Sequence, residues 1–268
     1  MEIAKILITV KTYPCRSGKY IETVCTAGFK EDGSWIRLYP VPFRFSDNRY
    51  KKYQWIEVKI AKNTKDKRPE SYRVIDIDNI KLLGTMGTEN NWRDRRQFIL
   101  NKNKIYTKLN DIIKRAHNNE LSLAIFKPTK ITDFIVENVK IYKENKNCRL
   151  LLEQMDLFSN NNQETLKLMP RLSKKFFYKF EDDEGKESRL MVEDWEIGQL
   201  YLNCIKREPT DEDAVEKVKM KYWDTFVFEK DLFFFLGTTS QFHNKKSANP
   251  FVITGIFYPP IPSQNCLL

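Results

Sequence analysis

Residues 24–40 read VCTAGFKEDGSWIRLYP, and the pairing of two strands can be derived from this stretch directly. Asp32-Gly33 lies between two runs of residues that favour β-strands. A two-residue type I′ turn needs positive φ at both central positions, which Asp-Gly tolerates well. With that turn, Lys30 is opposite Trp35 and Phe29 is opposite Ile36. The stretch therefore predicts a hairpin of fixed register.

The predicted register divides the hairpin into two faces, because directly opposed residues lie on the same side of a sheet. The apolar face carries Phe29, Ile36, Ala27 and Leu38. The mixed face carries Lys30, Trp35, Gly28, Arg37, Thr26 and Tyr39. We expect the apolar face to lie in a core. On the mixed face a guanidinium lies between two aromatic rings, opposite a glycine that leaves room for close approach, so this face can stack bases and hold a phosphate.

Further short strands are predicted around the hairpin. They are an opening strand at about 5–11, an alternating run at 53–60 and an extended run at 71–83. This many short strands in roughly 80 residues favours a small antiparallel barrel over an α/β sheet. The apolar spacing changes to a helical period between Thr88 and His117, with Thr88 as the expected N-cap.

The C-terminal part is predicted to form a second small β unit with helices. It starts with a hairpin of residues 176–180 and 188–192, and helices follow Asp194 and Thr210, whose side chains can cap them. Strands at 231–236 and 251–258 complete the unit, and the Asn-rich stretch 157–164 is an expected loop. The expected domains are a barrel over 1–85, a helical connector over 86–120 and the second β-rich unit over 121–268.

Charge restricts the classes of partner. The chain of 268 residues holds 46 Lys and Arg against 36 Asp and Glu, a net charge of +10. Residues 1–120 hold 25 of the basic residues against 14 acidic ones, so the basic excess lies in the N-terminal part. Such an excess favours nucleic acid, because neutralised phosphates release counterions. A Lys- and Asn-rich composition without any polyanionic ligand is the alternative explanation.

Cysteine usage and hydropathy indicate where the protein acts. The five cysteines form no CxxC pair, so the sequence indicates neither a disulfide framework nor a zinc site, which fits a reducing compartment. No apolar run approaches the ~18 residues of a membrane span, and the N-terminal run is too short for a signal peptide. We therefore expect a cytoplasmic protein with no membrane partner.

Several short motifs resemble those of the dual OB-fold (DuOB) domain family of prokaryotic conflict and defence systems. They are Cys25–Gly28, Asp32–Arg37 with Pro40-Val41, Leu121–Ile125 and Val192–Glu196. The chain departs from that pattern at Leu38-Tyr39 and in its long C-terminal tail. The resemblance implies two OB-like barrels, nucleic-acid binding and a role in antiviral defence, and it implies no catalytic residue. The expected fold class is thus a β-rich α+β fold with an N-terminal OB-like antiparallel barrel.

Basic and aromatic side chains form the candidate nucleic-acid site. Aromatic rings stack on bases while cations hold the backbone, a combination that suits single strands. Arginines at a helix start act against the helix dipole, and phosphate contact would explain them there. The structural alternative is that the rings and arginines pack inside the fold or lie on a solvated helix face. The candidates are Lys11, Tyr13, Arg16, Lys19, Trp35, Arg37, Tyr39, Arg44, Arg49, Lys51, Lys52, Arg93, Arg95 and Arg96.

A polar segment after the apolar strand 232–236 is a candidate ligand pocket. Hydroxyl, amide and imidazole groups follow Gly237 and can surround a ligand at the end of the strand. A structured turn is the alternative, since Ser and Thr often bond nearby backbone groups. The candidates are Thr238, Thr239, Gln241 and His243.

Two other functions remain open. Glu57-Val58-Lys59, with Asp47 upstream, matches part of a metal-dependent nuclease site, although Glu-x-Lys is common on exposed strands. The acidic segment 181–187 and the hydrophobic tail suit a protein-interaction subunit of a defence complex. We expect a non-enzymatic protein that binds nucleic acid, preferably single-stranded, or a nucleotide. Neither a cofactor nor a metal is expected.

Overall fold

The chain forms two β units, which confirms the predicted β-rich α+β class. The computed structural model describes residues 1–17, 20–43, 50–139 and 168–262. A closed five-stranded barrel lies in the N-terminal part, and a second sheet unit with helices lies in the C-terminal part. The loop predicted at 157–164 lies outside the described residues.

The N-terminal barrel is a ring of five strands with two further strands attached. Its strands are β1 (Glu2–Lys11), β2 (Cys15–Ser17), β3 (Ile21–Lys30), β4 (Trp35–Pro42), β5 (Gln54–Lys62), β6 (Ser71–Val74) and β7 (Lys81–Thr85). The ring order is β1-β3-β4-β6-β5, and β5 pairs with β1 to close it. The pairing of β4 with β6 is parallel, whereas the others in the ring are antiparallel. The OB-like barrel is therefore not wholly antiparallel.

The β3–β4 hairpin forms, but its register differs by one residue from the predicted one. Phe29 pairs with Trp35, and the Lys30 N–H donates to the Ser34 carbonyl at 2.9 Å. The loop therefore holds three residues, with Gly33 in the left-handed region at φ 89°. A turn followed by a left-handed glycine is the G1-bulge form of a hairpin loop. Asp-Gly suits this loop as well as the two-residue turn, so the sequence alone did not separate the two registers.

A shift of one residue exchanges the two faces of a strand. Ile36 and Leu38 fill the barrel core, whereas Trp35 lies on the outer side with Phe29, in the core between the two units. The prediction that Phe29, Ile36, Ala27 and Leu38 share one face was wrong, although all four residues are buried. The predicted role of Gly28 was wrong as well, because a Cβ there would lie 1.9 Å from the Leu7 carbonyl oxygen. This glycine permits the close approach of β1 and not that of a ligand.

The second unit repeats the cyclic strand order of the barrel. Its strands are β8 (Ile105–Tyr106), β9 (Leu123–Phe126), β10 (Lys130–Asn138), β11 (Lys174–Glu181), β12 (Glu187–Met191), β13 (Phe233–Thr238) and β14 (Phe251–Phe257). The sheets β10-β11-β12 and β14-β13-β9-β8 are linked by a parallel bridge between Val192 and Ile253. Residues 127–129 connect β9 to β10, so these two strands together take the position that β1 has in the barrel. The strand cycle is then β9/β10-β11-β12-β14-β13. Its parallel contact, between the end of β12 and β14, corresponds to the parallel β4–β6 pair of the barrel.

The helices lie between strands, and two of the three predicted caps form. They are α1 (Glu89–Asn101), α2 (Leu109–His117), α3 (Trp195–Ile205), α4 (Asp211–Lys219), α5 (Phe226–Glu229) and α6 (Ser240–Asn244), with a π-helical turn at Met220–Thr225. Asp194 accepts from the Glu196 N–H at 3.0 Å, and Thr210 accepts from the Asp213 N–H at 3.1 Å. Thr88 precedes α1 without a side-chain capping bond.

An aromatic core joins the two units. The ring of Phe235 on β13 lies 6.1 Å from Phe29 and 5.6 Å from Trp35, measured between centroids. Ile99 of α1 and Ile125 of β9 complete this core. Aromatic pairs in this range stabilise an interface beyond their buried area. The outer face of the hairpin is therefore covered by the second unit.

Candidate nucleic-acid interface

Arg37 is the most deeply buried of the predicted phosphate contacts. Its side chain is 1% exposed and donates to Ser122 at the start of β9, with Nη1 2.5 Å from Oγ and Nη2 3.1 Å from the carbonyl oxygen. Burial lowers the pKa of the guanidinium, and the nearby Arg68 lowers it further. The prediction that Arg37 lies on a solvent face was wrong, because the second unit packs on the outer face of β4 and covers it.

Several other candidates hold the fold together. Lys52 reaches the carboxylates of Asp194 at 3.0 Å and Glu196 at 2.8 Å, and Lys11 is buried and donates to the Tyr50 carbonyl. Burial alone would lower the pKa of Lys52, but these two carboxylates raise it above its ordinary value. Neither lysine presents its charge to solvent, so their predicted role in phosphate contact is corrected.

The arginine cluster of α1 is also mainly structural. The guanidinium of Arg95 lies 3.7 Å from the centroid of the Tyr53 ring and is buried. Arg96 pairs with Asp231 at 3.1 Å and bonds the Pro260 carbonyl. Arg93 is exposed and contacts its neighbour Asp94. Only Arg93 of the three retains the expected solvated position, and the other two fasten α1 to surrounding elements.

The remaining candidates are scattered. Tyr13 donates to the Pro170 carbonyl, and Arg16 pairs with Glu22 at 2.7 Å. Lys51 is exposed, whereas Tyr39 is partly buried, which raises the pKa of its hydroxyl. Lys19, Arg44 and Arg49 lie outside the described residues.

An aromatic and basic depression does lie beside the hairpin, made largely of residues that the sequence did not single out. We call it the aromatic cleft; it has a volume of about 430 Å³. Among its lining residues are three aromatic rings, three cations and two carboxylates. These are Trp35, Tyr72 and Tyr106; Lys30, Lys104 and Arg115; and Glu70 and Glu120. The cleft lies between β4 and β6 on one side and β8 and α2 on the other.

Cations lie close to the rings of this cleft. Lys30 Nζ is 4.8 Å and Lys62 Nζ is 4.6 Å from the centroid of Tyr72. Lys104 Nζ is 4.9 Å from the centroid of Tyr106. Cation–π contacts of this length hold a positive charge beside an aromatic face. Tyr106 is buried in the core of the second unit, whereas Trp35 and Tyr72 are partly exposed. The combination of stacking faces and positive charge expected of the hairpin is therefore present, but, apart from Trp35, on different residues.

No local signal marks this set in the sequence. Tyr72 is on β6, and Tyr106 and Lys104 are at β8, so the cleft depends on the packing of the second unit against the barrel. Trp35 is the one member that belongs to the predicted site, and it remains partly exposed at the edge of the junction core.

A smaller cavity, which we call the Arg37 cavity, lies elsewhere in the junction and has both polar and apolar lining residues. It has a volume of about 220 Å³ and is lined by Arg37, Tyr39 and Arg68 from the barrel together with Thr238 and Thr239. Two sets of residues that were predicted separately thus meet here. The other two pocket candidates do not: Gln241 is exposed, and the ring of His243 bonds Asn119 at 2.9 Å.

The nuclease alternative finds no constellation among the described residues. Glu57 pairs with Lys81 at 2.8 Å near the surface, and Asp47 lies outside the described part of the chain. In that part, no three His, Cys, Asp or Glu side chains gather as metal ligands would. Within the same ranges, no helix is long and apolar enough to cross a membrane.

Comparisons with known proteins give families without an assigned function. No curated protein matches the chain. A solved structure described as a murine DNA-binding protein bound with double-stranded DNA aligns over 98% of each chain, at 9% identity and a TM-score of 0.30. That likeness is too loose to bear on fold or function. Residues 2–101 match the domain of unknown function DUF8758, and residues 102–268 match the domain of unknown function DUF8757. Since the second match covers more than half of the chain, the protein belongs to the DUF8757 family and carries a DUF8758 domain before it.

Proposed function

We propose that the protein binds single-stranded nucleic acid in the aromatic cleft. The observation that carries this proposal is the presence of Trp35, Tyr72 and Tyr106 in one depression with Lys30, Lys104 and Arg115. Aromatic side chains in a basic groove bind single strands because every base offers a stacking face and every phosphate a charge. A duplex keeps its bases stacked on one another, so this arrangement favours single strands.

The carboxylates in the cleft are already engaged. Glu70 accepts from the Ser122 N–H at 2.9 Å and from the Ser122 hydroxyl at 2.5 Å. Glu120 pairs with Arg115 at 3.0 Å, near the surface. Exposed ion pairs contribute little free energy, so Arg115 can exchange Glu120 for a phosphate at small cost. Lys30 pairs with Glu2 at 3.0 Å, and this partly exposed pair can be exchanged in the same way. Lys104 and the two exchangeable cations can therefore face a phosphate backbone.

Tryptophan fluorescence tests this proposal, because a base stacked on Trp35 quenches its emission. We expect an oligothymidylate to quench the wild-type protein at low salt. In Trp35→Phe the ring contacts to Phe29 and Phe235 can persist, so the variant should still bind while losing that part of the quenching. Trp223→Phe, which changes a tryptophan of the π-helical turn, is the matched control and should quench like the wild type. Absence of binding at low salt would overturn the proposal.

A role in prokaryotic antiviral defence is the wider form of the proposal. It is supported by the resemblance of Cys25–Gly28 and Asp32–Arg37 to the dual OB-fold family and by the repeated strand order of the two units. Expression of the protein in its native operon should reduce phage plating, and a Tyr72→Leu variant should lose that protection. Equal plating with and without the protein would contradict this role.

A further inference from the structure

The Arg37 cavity contains buried polar groups without partners. Arg37 is 1% exposed and Thr238 is 4% exposed. Neither Arg37 Nε nor Thr238 Oγ1 has a hydrogen-bond partner within the described ranges, and both residues line the cavity. Buried polar atoms in folded proteins are almost always paired. Two orphans in one cavity indicate an occupant that supplies acceptor atoms.

The charge of Arg37 indicates which kind of occupant. Its Nη atoms bond the neutral groups of Ser122, and it takes part in none of the ion pairs among the described residues. By contrast, Arg68 binds Asp66 through both Nε and Nη2, at 2.8 and 2.5 Å. Burial alone would raise the pKa of Asp66, but Arg68 lowers it to about 2, so that pair stays charged. Arg37 is therefore a buried cation without an ion pair in the described part of the chain, and a guanidinium prefers carboxylate or phosphate oxygens.

A larger cavity lies next to the Arg37 cavity and shares Cys15 and Glu193 with it. We call it the outer cavity; its volume is about 370 Å³. Its basic lining residues are Arg16, Arg171, Lys174 and Lys175. The rest is mainly apolar, including the rings of Tyr13 and Phe176. Arg16 pairs with Glu22 at 2.7 Å and Lys174 pairs with Asp211 at 2.6 Å, so a ligand in this cavity would meet partly neutralised basic groups beside aromatic and aliphatic surface.

The position of Glu193 orients such a ligand. It is the one acidic residue that lines either cavity in the described part of the chain. A phosphate is repelled by this carboxyl group and attracted by Arg37, whereas sugar hydroxyls can donate to a carboxylate. Burial raises the pKa of Glu193, which weakens the repulsion between its carboxyl group and a phosphate.

We infer that the Arg37 cavity binds the phosphate of a phosphate monoester whose organic part, the size of a nucleoside, lies in the outer cavity. Arg37 Nε and the Thr238 hydroxyl donate to phosphate oxygens, and Lys175, which lines the outer cavity, adds positive charge beside the ligand. This inference is independent of single-strand binding, because none of these three residues lines the aromatic cleft.

Calorimetric titration with AMP, inorganic phosphate and adenosine tests the inference. We expect AMP to bind more tightly than phosphate, and adenosine to bind weakest. Thr238→Val should weaken AMP binding about tenfold to a hundredfold through the loss of one hydrogen bond to a charged group. Lys175→Gln should weaken it by a smaller factor, and Lys59→Gln, on an exposed site of β5, should bind as the wild type does.

A pair of oligonucleotides with and without a 5′-phosphate identifies the source of the phosphate. A preference for the phosphorylated strand that Thr238→Val abolishes indicates recognition of a strand end, and AMP binding without such a preference indicates a free nucleotide. Both results support the inference. If AMP binds no better than adenosine, or if Thr238→Val and Lys175→Gln leave AMP affinity unchanged, the cavity holds water alone and the inference is overturned. Loss of AMP binding with intact oligothymidylate binding separates this site from the aromatic cleft.

Discussion

Trp35 and Arg37 lie two positions apart on the same face of β4, yet they meet different surroundings. Trp35 lies at the rim of the junction, where it packs on Phe235 and still lines the aromatic cleft. Arg37 lies deeper and bonds Ser122 of the second unit. Residue type alone therefore does not determine which ligands a side chain on this face can contact. Distance from the rim of the junction determines whether a side chain is available to a polymer or only to a ligand that fits a cavity.

The largest expected difference between the two places concerns stability. Arg37→Ala removes two hydrogen bonds to Ser122 and leaves a void, so we expect the free energy of unfolding to fall by about 3 kcal/mol. Lys104→Gln at the aromatic cleft should change it by less than about 0.5 kcal/mol, because Lys104 is exposed. Urea denaturation measures both. A loss below about 1 kcal/mol for Arg37→Ala would contradict the structural role assigned to Arg37.

The next effect concerns binding at the aromatic cleft. Tyr72→Leu removes a stacking face, and one stacked base is worth ~1–3 kcal/mol, so oligothymidylate affinity should fall about tenfold. Tyr72→Phe keeps the aromatic ring, which lies close to the Nζ atoms of Lys30 and Lys62, and should bind nearly as the wild type does. Fluorescence anisotropy of a labelled oligonucleotide compares them. Equal affinities of the Leu and Phe variants would show that no base stacks on this ring.

A smaller effect concerns the pH dependence of stability, through His243, whose pKa responds to the charge of Arg37. Burial lowers the pKa of His243, and the charges of Arg68 and Arg37 lower it further, against Glu70 and Asp66. The unfolded chain therefore binds the proton more readily, so stability should fall as pH drops below about 6.5. The loss should stay under about 1 kcal/mol and be absent from His243→Gln, as seen in urea denaturation at several pH values. Parallel pH curves for both proteins would contradict this assignment.

The sequence predicted what depends on local chemistry. The β3–β4 hairpin, the caps at Asp194 and Thr210 and most strands of both units follow from turn residues, capping groups and apolar spacing, whereas the short strands β2 and β8 were not predicted. The loop length of the hairpin did not follow, because Asp32-Gly33 fits two registers. That one-residue difference placed Phe29 of β3 on the same face as Trp35 and not, as predicted, on the face of Ile36.

The candidate site was harder to predict because its parts come from distant segments. The ring that covers Phe29 and Trp35 is Phe235, about 200 positions later in the chain. The aromatic cleft likewise combines Trp35 with Tyr72 and Tyr106. The Arg37 cavity does bring together Arg37 and Thr238, which had both been singled out, although for separate reasons. Tertiary packing, which a single sequence does not display, selected among the candidates.

The salt dependence of oligothymidylate binding is the most direct test of whether the aromatic cleft binds nucleic acid. Three cations line the aromatic cleft, and each neutralised phosphate of a single strand contributes about −0.7 to the slope of log affinity against log salt concentration. We predict a slope of about −2 for the wild type, a slope about 0.7 shallower for Lys104→Gln, and no change for Lys59→Gln. No binding at low salt, or a slope that Lys104→Gln leaves unchanged, would contradict the assignment of the aromatic cleft as the nucleic-acid interface.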